Sequence, residues 1–71
     1  MKISARNVLR GTVTKIEIGA INAEVTIEVA PDVTVVSNIT SESARNLGLE
    51  RGSKAYAVIK ASNVMLGIDE V

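Results

Sequence analysis

From Ala23 to Val29 apolar and polar residues alternate without a break: Ala23, Val25, Ile27 and Val29 share one parity, and Glu24, Thr26 and Glu28 share the other. A period of two sends successive side chains to opposite faces of an extended backbone, so this run is a strand with one dry face and one wet face. Such a strand buries little alone and needs neighbours, and both are legible. Upstream, Leu9, Gly11 and Val13 share one parity while Ile16 and Ile18 share the other. The dry face therefore changes sides near Thr14-Lys15, as a bulge or sharp coil would make it do. Gly19-Ala20 supplies a permissive backbone for a hairpin, and Ala30-Pro31-Asp32 presets proline for the second position of the next turn. Both connections are short and therefore antiparallel.

Val33 to Ile39 reads as a third strand. Lys54 to Lys60 reads as a fourth, with Ala55, Ala57 and Ile59 on one face, and Val64 to Ile68 as a fifth that is apolar nearly throughout. Between the third and fourth lies the single helical signal. Thr40 can cap it, Glu42 sits favourably in the first turn, and Leu47-Gly48-Leu49 has the form of a glycine-terminated end. The expected fold is all-β: a five-stranded OB-like barrel with one short helix between strands 3 and 4, closed so that it hides its sheet edges. No linker or low-complexity tract divides the chain, which reads as a single domain over residues 1–71.

A core built from 71 residues leaves little net stability. Disulfides cannot add to it, because there is no cysteine, and a structural zinc site lacks its preferred nitrogen and sulfur ligands. With 46% of residues hydrophobic and 23% charged, the chain carries more apolar surface than its interior can use, so a homo-oligomer is expected. No segment approaches a membrane span or a signal peptide, which makes the cytoplasm the expected location.

Eight basic residues balance eight acidic ones, so the broad positive field of a duplex-DNA or anionic-membrane binder is missing. An anion would have to be held by local geometry. Burying one without partners costs tens of kcal/mol by the Born estimate, roughly, so each oxygen needs donors and the charge needs compensation. Arg6 offers a planar fork of donors and Lys60 a compact charge, while Ser4, Asn7, Thr40, Ser43 and Ser62 offer short hydroxyl or amide groups. Together they suit a small tetrahedral oxyanion. Thr40 and Ser43 gain further if they begin the helix, whose first N–H groups are free. Taken singly, each has a plainer reading: Arg6 and Lys60 as solvated charges, Thr40 as a cap, Ser43 as a first-turn residue, Ser4 and Ser62 as strand starts. The tetrapeptide Ser-Ala-Arg-Asn occurs at both Ser4–Asn7 and Ser43–Asn46, but the flanks differ and one copy is extended while the other is helical, so it marks no duplication.

The motifs also carry a resemblance, in order, over residues 2 to 69. Ser4-Ala5-Arg6-Asn7 with Gly11, then Ile39-Thr40-Ser41-Glu42-Ser43, Leu47-Gly48-Leu49, Gly52-Ser53 and Val58-Ile59-Lys60-Ala61-Ser62-Asn63-Val64-Met65-Leu66-Gly67 resemble the molbindins, the small molybdate-binding proteins of the Mop or TOBE-like group. The resemblance implies an OB-like barrel assembled as a homohexamer, a trimer of dimers, that binds molybdate or tungstate at subunit interfaces and serves intracellular storage and homeostasis. It implies no cofactor and no metal other than that of the oxyanion. Carried over by position, Ser4 and Arg6 with Asn7, Thr40 and Ser43, and Lys60 with Ser62 lie near the anion. One subunit contributes one Arg and one Lys from these motifs, and a site near a symmetry axis multiplies both.

Three other readings remain at this stage. The domain could be the oxyanion-sensing part of a transporter or transcription factor. A nucleic-acid-binding OB module would need stacking platforms and a basic groove, whereas Tyr56 is the lone aromatic and the net charge is zero. An enzyme is disfavoured, because without His or Cys the usual nucleophile–base pairs are missing.

Overall fold

The computed structural model describes residues 1–70; Val71, the last residue of the expected domain, lies outside them. Four strands form one antiparallel sheet: β1 (Asn7–Ile18), β2 (Asn22–Ala30), β3 (Val33–Thr40) and β4 (Lys54–Ile59), in the order β3-β2-β1-β4. A short helix, α1 (Ser41–Asn46), follows β3, and a 3-10 turn (Ala61–Asn63) follows β4. The sheet curls into a half-barrel, as expected of an OB-like chain. No helix among the described residues is long and apolar enough to cross a membrane.

The change of face in β1 is a register shift against β2 between Val13 and Lys15. It allows one long strand to pack inward with Val13 before the shift and with Ile16 after it. The core is small: Val13, Val25, Ile27 and Ala57 are buried, with Ile16, Val29, Val35, Ile39, Leu49 and Ala55 packed against them. Gly11 is required by close approach. A Cβ there would lie 2.5 Å from the Glu28 carbonyl oxygen and press on Ile27 Cγ2. In the β2–β3 hairpin the positive φ falls on Asp32, at 62°, a position that Asp tolerates better than most residues.

Thr40 caps α1 by accepting from the Ser43 N–H at 3.0 Å. At the other end the Gly48 N–H donates to the Arg45 carbonyl and the Leu49 N–H to the Ala44 carbonyl, at 3.0 and 3.1 Å, with Gly48 at φ 64°. This is the Schellman arrangement that the Leu-Gly-Leu motif predicts. Ser41, a residue for which the sequence suggested no role, is buried and ties the helix to the β1–β2 turn. Its N–H donates to the Ile21 carbonyl at 2.7 Å and its hydroxyl to the Gly19 carbonyl at 2.8 Å.

The expected fifth strand is not formed. Val64–Ile68 has no ladder partner among the described residues, and Met65, Leu66 and Ile68 are more than 90% exposed. A strand exists through its neighbours, and apolar content alone cannot supply one. The outer edges of β3 and β4 consequently stay unpaired within the subunit, and the barrel is open between them.

Candidate functional site

Antiparallel pairing of β1 with β4 begins at Asn7 and Ile59, so the residues just before β1 meet those just after β4. The meeting is reinforced by Asn7, whose Nδ2 donates to the Ile59 carbonyl at 3.3 Å. The result is a concavity of about 410 Å³ lined by Ser4, Ala5, Arg6, Lys60, Ala61 and Ser62. Two cations and two hydroxyls face it, and no carboxylate is among its lining residues. The first N–H groups of a helical turn have no partner inside that turn, and the 3-10 turn at Ala61–Asn63 begins with two residues, Ala61 and Ser62, that line the concavity. This donor-rich, acceptor-poor lining suits an oxyanion and offers a cation nothing.

Four of the seven expected residues, Ser4, Arg6, Lys60 and Ser62, line this space. Asn7 does not line it: its amide is occupied with the Ile59 carbonyl, and its visible work is to hold the two segments together. Thr40 and Ser43 lie elsewhere. Thr40 pairs with Asn22, beside the turn at the far end of β1, and its hydroxyl donates to the Ser43 hydroxyl at 2.7 Å. Within one subunit the seven residues therefore form two groups at opposite ends of β1.

Ser4, Arg6, Lys60 and Ser62 are all exposed, so the concavity of one subunit is wet and shallow. Charges in such a setting are screened, and two cations alone hold a dianion weakly. A shifted titration occurs away from the site. Lys15 is raised above the usual ammonium value by its hydrogen bond to Glu17, at 3.0 Å on the exposed strand face, and then by that carboxylate's charge. Among the described residues no group of three or more Asp or Glu side chains could hold a metal ion. Ala5 and Ala61, which the sequence offered only as members of the two motifs and not as donors, also line the space.

Comparison with known proteins gives the same architecture. The TOBE domain profile matches residues 3–66. A probable molybdenum-pterin-binding protein from Haemophilus influenzae is 45% identical over 69 residues, covering 97% of this chain and all of that one. The structure of the cytoplasmic molybdate-binding protein ModG with molybdate bound superposes with a TM-score of 0.91 at 51% identity, over 97% of this chain and 49% of the other. MopII from Clostridium pasteurianum, in an apo form, superposes with a TM-score of 0.89 at 37% identity, over 94% of this chain and all of that one. The profile match, the end-to-end relative and the shared half-barrel agree: this chain belongs to the TOBE domain family, in its molbindin group.

Proposed function

We propose that this protein binds molybdate or tungstate, without transforming it, at sites shared between subunits of a homohexamer built as a trimer of dimers, and that it stores and buffers the anion inside the cell. The observation that carries this reading is the concavity that joins Ser4-Ala5-Arg6 to Lys60-Ala61-Ser62 with two cations and no carboxylate. The relatives support it: one is named a molybdenum-pterin-binding protein, and another was solved with molybdate bound.

Sharing between subunits follows from the wetness of the single-chain site. A neighbouring subunit would exclude water, lower the local dielectric and bring a second set of donors. Thr40 and Ser43 reach the same anion only from such a neighbour, or else serve a second type of site at the other end of β1. Discrimination would rest on size and protonation. Sulfate is smaller than molybdate and phosphate is partly protonated near neutral pH, so a donor-only cage of fixed span disfavours both.

Calorimetric titration of the full chain, paired with native mass spectrometry, tests the proposal. Saturable molybdate binding to a multi-subunit species, with sulfate much weaker, is the expected result. Absence of binding heat at millimolar molybdate, or equal affinity for sulfate, would refute it.

A further inference from the structure

Asn7 shares its face of β1 with Leu9, Gly11 and Val13, the parity that turns into the core at Val13. It is half-buried, whereas Arg6 before it is exposed. A polar residue in that row needs a partner, and the Asn7 Nδ2 finds one in the Ile59 carbonyl, at the last pair of the β1–β4 ladder. Of the side-chain hydrogen bonds among the described residues, this one alone joins β1 to β4 at this end of the sheet.

The flanking residues give the bond its importance. Arg6 precedes Asn7 and Lys60 follows Ile59, so two cations that line one concavity sit one residue past the final rung. Like charges facing each other across a strand pair push it apart, and strand ends are where a sheet frays most readily. An anion-free site therefore tends to open from this rung, and the Asn7 bond opposes the opening. Span then governs selection. A donor set held at fixed span meets a large tetrahedral oxyanion on all sides and leaves a smaller one short of some donors, whereas a set free to spread or close in accepts either.

We propose that Asn7 is a positioning residue that, through the Ile59 carbonyl, sets the span between the Arg6 and Lys60 sides of the concavity and thereby the preference for molybdate over sulfate. It acts on the backbone and not by touching the anion. The proposal rests on the oxyanion-binding reading above and deepens it, because it names the group on which size discrimination depends.

Calorimetric titration of full-length chains with molybdate and with sulfate tests it. Asn7→Leu keeps the size of the side chain and removes the donor without adding charge. In this variant, with folding checked by circular dichroism, molybdate affinity is expected to fall about tenfold, the order of one lost hydrogen bond, and sulfate affinity by less, so that the ratio of the two narrows. An unchanged ratio would overturn the proposal. A second variant replaces the bond covalently. Asn7 and Ile59 are Cα partners and the chain has no cysteine, so Asn7→Cys with Ile59→Cys can close a disulfide, which needs Cα atoms within about 7 Å. A cystine has no hydrogen to give an anion. A molybdate preference present in the oxidised protein and lost on reduction is expected, and it reports the tie alone. Equal ratios in the two redox forms would overturn the proposal. Failure of the unsubstituted chain to bind either anion refutes the oxyanion-binding reading itself, whereas molybdate binding with these equal ratios refutes only the role of Asn7.

Discussion

Ser4 and Arg6 stand beside Lys60 and Ser62 because Asn7 reaches across 52 positions to the Ile59 carbonyl, a bond that pins the start of β1 to the end of β4. Charge then decides affinity. A hydrogen bond to a charged group contributes about 1.5–3 kcal/mol, so Lys60→Ala is expected to weaken molybdate binding roughly 10- to 100-fold, read by calorimetry, with the fold intact. Unchanged affinity would remove Lys60 from the site. Gly11 makes a different kind of prediction. Its missing Cβ would meet the Glu28 backbone carbonyl as well as the Ile27 side chain, and the backbone cannot swing aside, so Gly11→Ala is expected to destabilise by about 1–3 kcal/mol in urea denaturation. Both residues stood out in the sequence, Lys60 as a charge and Gly11 as part of a motif. The close approach that makes Gly11 necessary was invisible there, because Glu28 is distant along the chain.

At the level of elements, α1 was legible end to end: a threonine cap, an acidic first turn and a Leu-Gly-Leu close are local signals, satisfied by local hydrogen bonds. What α1 does is less local, because Ser41 fastens it to the β1–β2 turn through two bonds to residues some twenty positions away. Thr40 has two assignments, cap and anion donor, and one substitution separates them. Asp caps a helix as well as Thr does, but it repels an oxyanion. Thr40→Asp is expected to keep the melting temperature of the apo protein and to weaken molybdate binding at least tenfold. Retained affinity in this variant would leave Thr40 as a cap only. The fifth strand shows the opposite limit. Its apolar composition was plain in the sequence, yet composition does not name a partner, and among the described residues Val64–Ile68 has none.

Among the described residues four are buried in one core cluster, and large apolar side chains from Met1 to Ile68 are left open to solvent. Under the proposed assembly, the melting temperature of such a body is expected to rise with protein concentration. A ligand that binds only the assembled form adds to this. At a hundredfold excess over its dissociation constant it stabilises by about 2.7 kcal/mol. For a domain of this size that corresponds to a rise of roughly 10–20 °C, measurable by scanning calorimetry. Identical melting curves with and without millimolar molybdate would contradict both the binding and its link to assembly.

The sequence by itself determined four of the five expected strands, the bulge in β1, both hairpins, the helix with its two ends, and the residues rich in donors, because each rests on interactions within a few positions of chain. Only the tertiary structure decided which donors meet. It put Ser4 and Arg6 with Lys60 and Ser62, turned Asn7 into a tie, and sent Thr40 and Ser43 to the far end of β1. It also left Val64–Ile68 without a neighbour, since strand pairing is settled by which edge is free in space, and a one-dimensional pattern holds no record of that.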